Sequence, residues 1–363
     1  MSKKQLNKFR EALLIWYDKN QRKLPWRETK NPFFIWVSEV MLQQTQVKQA
    51  LDYYEKFITK FPNIHCLAAA DLQDVLKAWE GMGYYARARN LHKASQFIVN
   101  EMNGAIPEDF SSFRRLPGAG DYITAAVLSL AFDKPHPVVD GNVKRVLSRL
   151  FRIDAPANTS SANKIYRAKA DLLFDQNEPG LFNQAMMELG AIICRPKNAR
   201  CNVCPVASFC LAFEANDQEN FPKRIRSRET PEYHISVAVI FNNERILITR
   251  RQSDGLLGGL WEFPGGRRQE GEAADVACIR NIKEKVNLNI SSLNFLTQVN
   301  HAYSHFKIKV DVFCCLVKSG TVVLSGPADY RWILLGEIDQ FPFHAAHHKF
   351  IPMLKELDQN RNN

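Results

Sequence analysis

No stretch of these 363 residues is long and apolar enough to span a membrane. The first twenty, MSKKQLNKFREALLIWYDKN, carry charge throughout. They read as an amphipathic helix and not as a secretion signal. Framework spacing is absent from four of the eight cysteines, Cys66, Cys278, Cys314 and Cys315, which argues against a disulfide scaffold. The expectation is a cytoplasmic protein (nucleoid-associated if its source is bacterial), monomeric and with no membrane partner. Acidic charge is also scarce in one half. Residues 1–230 carry 33 Lys+Arg against 24 Asp+Glu, whereas residues 231–363 carry 15 against 14. A basic half suits a polyanion, most often nucleic acid. The bland alternative is a solvated surface that happens to be basic.

The other four cysteines lie within seventeen residues: Cys194, Cys201, Cys204 and Cys210, spaced C-x6-C-x2-C-x5-C. A chain of this size in a reducing compartment has little use for thiols so close together, except to hold a metal or an iron–sulfur cluster. The bland readings are small buried hydrophobes or a disulfide pair. Cys204-Pro205 and the tight spacing resemble cluster loops instead. Spacing does not separate zinc from [4Fe–4S], since four thiolates suit both.

From about Lys3 to Ala212 apolar residues recur at three and four, as in Phe9, Ala12, Leu13, Trp16 and in Leu72, Val75, Leu76, Trp79. Breaks at Leu24-Pro25, Asn31-Pro32, Phe61-Pro62, Gly81, Gly83, Ile106-Pro107, Gly118 and Gly120 imply many short helices. Residues 214–232, EANDQENFPKRIRSRETPE, are polar, hold two prolines and place four cations between Lys223 and Arg228. They read as an interdomain linker, placed to lie on DNA. From Tyr233 the pattern turns to β-rich runs, HISVAVIF, RILITRR and FKIKVDVFCCLV, with a helical stretch at Ala273–Lys285. This half is expected to be α+β.

Two segments of the helical half suggest a site. In RRLPGAGDYITAAVLSLAF, from Arg114, two glycines bracket one residue before an apolar helix. Backbone N–H groups of Gly118 and Gly120 could there hold a phosphate; the bland reading is a packed helix–turn–helix. Twenty residues on, Asp140 in VVDGNVKRVLSRL precedes a helix, where its bland role is an N-cap.

LPGAG, the aspartate of VVDGNVKR and the cysteine loop, in this order, resemble the helix-hairpin-helix DNA glycosylases with an iron–sulfur cluster. WVSEVMLQQTQV (Trp36–Val47), WEGMGYYARARNLHKA (Trp79–Ala94) and FNQAMMELGAIIC (Phe182–Cys194) narrow the resemblance to the MutY-type adenine DNA glycosylases. It covers essentially the whole chain. It implies a multidomain protein: an all-α helix-hairpin-helix glycosylase domain with an iron–sulfur cluster loop, followed by an α+β Nudix-like domain. The implied parts are a catalytic region at 1–213, with a helical barrel at 24–129 and a cluster subdomain from 1–23 and 130–213. A linker at 214–232 and an 8-oxoguanine recognition domain at 233–363 follow. The resemblance makes the cluster [4Fe–4S], on Cys194, Cys201, Cys204 and Cys210, and sets Arg195, Lys197 and Arg200 of its loop against phosphates.

The resemblance implies hydrolysis of the adenine N-glycosidic bond in duplex DNA, opposite 8-oxoguanine or guanine. Such chemistry uses one protonated acid and one ionised carboxylate. The acid falls on Glu39, whose neighbours Val37, Val40, Met41 and Leu42 would raise its pKa; the bland reading is a solvated helix glutamate. The anion falls on Asp140, and Tyr122 and Asn142 are hydrogen-bond partners that tune the acid and orient Asp140. Tyr122 stands where relatives that also cut the backbone have lysine, so the enzyme should be monofunctional; Lys144 lies near enough to complicate that. Gln44 and Tyr84 would fill the gap left by the flipped base. Leu116, Gly118 and Gly120 form the DNA-gripping hairpin. Trp26 and Arg27 line the adenine pocket, although tryptophan in a helical domain is more often packing. Relatives often have glutamate at Gln184, so that contact stays open.

The C-terminal half resembles a Nudix fold with a broken hydrolase box, G-x5-E-x7-R-E-U-x-E-E-x-G-U. Gly266, Glu272, Arg280 and Glu284 fit; Asn281, Lys285 and Asn287 do not. Losing two acidic ligands and gaining a cation should abolish a Mg²⁺ site. The domain then reads as a binder of 8-oxoguanine, through Tyr303, Ser304 and His305 of HAYSHF. Family members usually have phenylalanine at Tyr303. The rivals are an oxidised-pyrimidine glycosylase of the same superfamily, a nucleotide pyrophosphatase acting through the C-terminal half, and a non-catalytic DNA-binding protein.

Overall fold

Five helices of the first half begin on a side-chain cap: Ser2, Asn31, Asp71, Asp109 and Asp140 each accept from a backbone N–H of the first turn. In the computed structural model, which describes residues 1–225 and 229–362, α1 (Lys3–Asn20) starts at a capping box of Ser2 and Gln5 and buries Phe9, Leu13 and Tyr17. The helix α2 (Pro32–Leu42) follows an Asn31 cap with proline in its first turn, and buries nearly every side chain from Ile35 to Met41. Then come α3 (Val47–Lys60), α4 (Ile64–Ala69), α5 (Leu72–Ala78), α6 (Ala86–Glu101), α7 (Phe110–Arg114), α8 (Asp121–Phe132), α9 (Gly141–Phe151), α10 (Asn163–Leu173) and α11 (Pro179–Glu188). A π-helical turn, Leu189–Ile193, extends α11 into the cysteine loop, and α12 (Leu211–Glu214) follows that loop.

The chain divides into two compact units: Met1–Ala68 with Lys93–Arg226, and Ala69–His92 with Ser227–Asn363. In the first, α1, α9, α10 and α11 share a core of Phe9, Leu13, Leu147, Tyr166, Phe182 and Leu189. A second cluster packs α2 on α8 through Ile35, Ala125, Ala126 and Leu130. The α7–turn–α8 hairpin forms as the sequence predicts. The described part of the segment read as a linker is folded onto α9. Phe221 is buried, Arg149 donates to the carbonyls of Gln218 (2.9 Å) and Phe221 (3.2 Å), and Arg152 pairs with Asp217 at 2.6 Å. Ala157 N–H reaches Lys223 O at 2.9 Å. One buried aromatic and a set of backbone carbonyls hold this stretch, and composition registers neither. Arg226 and Arg228, two of the four cations, lie outside the described residues.

The second unit is built on β1 (Glu232–Asn242), β2 (Arg245–Arg250), β3 (Trp261–Glu262), β4 (Gly265–Arg267), β5 (Asn289–Ala302), β6 (Lys307–Ser319) and β7 (Asp329–Leu334). The order is β3-β2-β1-β6-β5, with β4 paired to β1 and β7 to β2; β1 and β6 run parallel. Alternation in β1 sends Val237 and Val239 to one face and Ala238 and Ile240 to the other. The first face packs under Phe343, Phe350 and Leu354, from α14 (Ala345–His348), α15 (Ile351–Asn362) and the run before them. The second is covered by α13 (Ala274–Val286) through Cys278, Ile282 and Val286. Residues 69–92, helical by pattern and placed by the sequence reading with the barrel, cluster with this sheet. Their partners lie far along the chain: Trp261 Nε1 donates to Gln73 Oε1 at 2.8 Å, and Arg89 to Gly258 O at 2.9 Å.

Arg149 is 2% exposed and also donates to Arg195 O (2.8 Å) and Pro196 O (3.3 Å). Arg149→Met leaves these carbonyls, and the buried Phe221 carbonyl, without the Arg149 donor. It should destabilise the first unit by about 3 kcal/mol, read as a lower urea midpoint.

Candidate active site

Glu39 and Asp140 reach one cleft of the first unit because α2 and the start of α9 both border it. The cleft holds about 470 Å³ and is lined by Trp26, Arg27, Glu39, Tyr122, Asp140, Asn142, Gln184 and Glu188. Glu39 sits on the buried face of α2 and is 3% exposed. The Tyr122 hydroxyl donates to its Oε2 at 2.5 Å. Burial pushes the Glu39 pKa up to about 7; the Tyr122 bond and Arg27 pull it down, and the charge of Asp140 pushes it up. Asp140 is indeed the N-cap of α9: Oδ1 accepts from Val143 N–H at 2.6 Å. Its Oδ2 accepts from Asn142 Nδ2 at 3.1 Å. The cap role and a place in the cleft therefore coexist. Burial raises the Asp140 pKa, against the opposing pull of Val143, Asn142 and Arg145.

Three supporting residues escaped the sequence reading. Glu188, fully buried, accepts from Arg22 (2.6 and 2.8 Å) and from Arg27 (2.8 Å), which fixes Arg27 at the rim. Burial pushes the Glu188 pKa up, but the bonds from the two arginines outweigh it and hold the carboxyl at about 2. An acid inside the apolar run AMMELGAII was the available signal, since a buried carboxylate demands a cation. Arg145 donates to Asn142 Oδ1 (2.8 Å), Gly190 O (2.8 Å) and Cys194 O (2.7 Å). Gly190 is required for a close approach: a Cβ there would lie 2.6 Å from Asn142 Cβ.

Of the remaining predicted residues, Trp26 is 5% exposed and meets Tyr54 edge-on at 5.0 Å, so it packs while it lines the cleft. Gln184 accepts from the Tyr17 hydroxyl at 2.8 Å. The Lys144 ammonium donates to Ala157 O (3.1 Å) and Asn163 Oδ1 (2.8 Å), while its backbone N–H bonds Asp140 O at 2.9 Å. Gln44 is exposed in the turn after α2, with φ 59°. In the hairpin Gly118 and Gly120 are exposed; Leu116 is 3% exposed, so its side chain belongs to the core.

The four loop cysteines are half-buried and within electrostatic reach of one another. Burial, and then the neighbouring thiols, raise Cys201, Cys204 and Cys210, with Cys204 pushed up to about 12. Arg149 Nη1 lies 3.3 Å from Cys194 Sγ. A set of thiols beside a buried guanidinium fits an anionic thiolate-ligated group. Among the described residues no three His, Cys, Asp or Glu side chains are close enough together to hold a single metal ion.

The second unit carries the other predicted group. Tyr303 N–H bonds Phe306 O at 2.8 Å and closes the turn between β5 and β6, leaving Ser304 and His305 exposed. Tyr303 itself stacks on Phe306 at 4.7 Å and bonds His344 at 3.3 Å. Tyr84, with φ 49°, is hydrogen-bonded through its hydroxyl to Ser304 Oγ. In the broken box Arg280 holds both surviving acids, Glu272 at 2.7 Å and Glu284 at 3.1 Å. Lys285 donates to Gly265 O, and a Cβ on Gly266 would lie 1.9 Å from Asn281 Oδ1.

Residues 37–169 match the model of the HhH-GPD superfamily of base excision DNA repair proteins, and residues 236–353 that of the NUDIX domain. The adenine DNA glycosylase of Homo sapiens is 33% identical over 395 residues, covering 93% of this chain and 71% of that protein. The adenine DNA glycosylase of Buchnera aphidicola subsp. Baizongia pistaciae is 34% identical, covering 84% of each. The chain belongs to the adenine DNA glycosylases. As a member it is a DNA glycosylase of base excision repair, with a helix-hairpin-helix half and a Nudix-like half. Among solved structures, a thermostable thymine-DNA glycosylase superposes with TM-score 0.54 at 28% identity, covering 58% of this chain and 98% of that one. An endonuclease III–DNA covalent intermediate, TM-score 0.51 at 22% identity over 60% of this chain and 99% of that one, shares the fold.

In this adenine glycosylase the cleft depends on the contact of Gly190 with Asn142. Gly190→Ala should push Asn142 off Asp140 and lower the single-turnover rate by on the order of 100-fold, with the fold retained by circular dichroism.

Proposed function

We propose that this glycosylase hydrolyses the N-glycosidic bond of adenine paired with 8-oxoguanine or guanine in duplex DNA, and stops at the abasic site. One observation carries the reading: buried Glu39 and half-buried Asp140 share a cleft, and Glu39 is held near neutrality in pKa. Glu39 supplies the proton to N7 of the departing adenine, and its burial among α2 side chains keeps that proton available. Tyr122 positions the carboxyl by its 2.5 Å bond. Asp140, ionised and fixed by Val143 N–H and Asn142, stabilises the oxocarbenium-like sugar. Water then completes the hydrolysis, with Glu39 as its base. Arg27 and Trp26 shape the base pocket. Tyr122 in place of a Schiff-base lysine, and Lys144 bonded elsewhere, support a monofunctional reaction.

Ser304 and His305, exposed on the β5–β6 turn, would read the base opposite adenine, and Tyr84 with Gln44 would fill the stack. The box in which Arg280 neutralises Glu272 and Glu284 supports a binding role for the Nudix-like half over pyrophosphate hydrolysis. Cys194, Cys201, Cys204 and Cys210 would hold a [4Fe–4S] cluster. When bound, it cross-links the loop that carries Arg195, Lys197 and Arg200. Purified protein should then contain iron and acid-labile sulfide rather than zinc, and Cys204→Ser should lose both.

The acid has a pH signature. Glu39 must be protonated, so single-turnover release of adenine falls as pH rises through about 7. Asp140 must be ionised, so the rate also falls on the acid side. Glu39→Gln should abolish release opposite 8-oxoguanine. It should also raise the melting temperature at pH 8. The ordinary pKa of 4.5 is below the folded value of about 7, so stability is lost across that window as pH rises. A Glu39→Gln variant that still released adenine opposite 8-oxoguanine would sink the assignment.

A further inference from the structure

Residues 69–92 enter the second unit through side chains that bond to its backbone. Gln73 Nε2 donates to Gly259 O at 3.0 Å, Lys77 Nζ to Phe341 O at 3.2 Å, and Arg89 to Gly258 O at 2.9 Å. The centre of this set is Glu80, whose side chain is 15% exposed. Its Oε1 accepts from Phe343 N–H at 2.7 Å and lies 2.9 Å from His348 Nε2, and its Oε2 accepts from Lys77 Nζ at 2.5 Å. Phe343 is 1% exposed, in the core beneath the sheet, so the carboxylate is tied to a fixed point.

Glu80 stands immediately before the loop that ends in Tyr84. That loop is conformationally demanding: Gly81, Gly83 and Tyr84 have φ of 90°, 76° and 49°. A tyrosine in the left-handed region persists only where the surroundings over-determine it. The far side of the loop is held by Trp79 Nε1 to Gly83 O (3.1 Å) and by Tyr85, whose hydroxyl takes Gly81 N–H at 3.1 Å and donates to Phe343 O at 3.4 Å. Phe343 thus receives both ends of the loop, one through Glu80 and one through Tyr85. The loop in turn presents the Tyr84 hydroxyl to Ser304.

We propose that Glu80 is a positioning residue for recognition of the base opposite adenine: by fastening the Tyr84 loop to Phe343 it holds Tyr84 in register with Ser304, and so sets discrimination between 8-oxoguanine and guanine. The proposal rests on Ser304 as the reader. Removing the carboxylate strands the buried Phe343 N–H and frees one end of a strained loop. The acids that break the bond lie in the other unit and keep their own partners. The ratio of the two adenine-release rates should therefore move more than either rate explained by lost structure alone.

The test uses the full chain with Glu80→Ala, Glu80→Gln and Ser304→Ala. Adenine release is measured in single turnover opposite 8-oxoguanine and opposite guanine, with hydrogen exchange of amides 81–85. In Glu80→Ala the 8-oxoguanine-to-guanine rate ratio should fall at least about fivefold, the lower end of ordinary coupling between sites. Exchange of the loop amides should rise with it. Glu80→Gln keeps an oxygen for Phe343 N–H and should lie between Glu80→Ala and the unaltered protein. An unchanged ratio in both Glu80 variants while Ser304→Ala lowers it overturns the proposal, as does a parallel loss of both rates in both variants. If Ser304→Ala also leaves the ratio unchanged, the reader assignment has failed, and loop exchange alone then decides whether Glu80 anchors the loop.

Discussion

Two carboxylates taken out of water in the same cleft set the terms for the rest of the first unit. Each would ordinarily find its own charge costly there. Asp140 keeps a place for charge because the first turn of α9 turns a free N–H toward it, at 2.6 Å from Val143. Glu39 has no such donor from the backbone, only the Tyr122 hydroxyl. Burial therefore pushes Glu39 to about 7, while for Asp140 several opposing bonds resist the rise. The difference between the two carboxyls follows from where each stands on its helix, Glu39 inside α2 and Asp140 at the N-cap of α9. A residue inside α2 cannot borrow a helix N-terminus; a residue preceding α9 can.

The second tier holds the cleft open to chemistry by burying charge of its own. Glu188 has no exposed side-chain surface, and it is matched by two guanidinium groups rather than one. That surplus of cation leaves Arg27 directed at the cleft while Glu188 stays ionised. Arg145 and Arg149, one turn apart on α9, spend their donors on the backbone of the cysteine loop and the segment after α12. The same helix thus has Asp140 as its cap and the loop supports on its next two turns.

Much of this was legible. The Asp140 cap, the hairpin and the strand alternation of β1 follow from local pattern, since each depends on near neighbours or on period, whereas the broken box is read through the resemblance to a Nudix fold. Both readings of Asp140 were visible because an N-cap needs only its own helix. What stayed hidden depends on distant partners. Glu188 meets Arg22 across 166 positions, and Glu80 meets Phe343 across 263. No periodicity assigns residues 69–92 to a sheet that begins at Glu232. The stretch 214–225 misled for a related reason: its proline and charges are those of a linker, yet buried Phe221 and bonds to Arg149 and Arg152 decide its place.

The Nudix-like half settles the residues of its broken box by internal hydrogen bonds and ion pairs. The acids that survive in the box are both engaged by Arg280, and a lysine ammonium bonds the Gly265 carbonyl. Asn281, bonded to the Ala277 and Arg267 carbonyls, fills the space over Gly266. Replacing acids by an amide and an ammonium exchanges mutual repulsion, which a divalent cation must relieve, for internal hydrogen bonds that need no ion. The β5–β6 turn stands on the same sheet, whose α13–β4 corner those internal bonds hold.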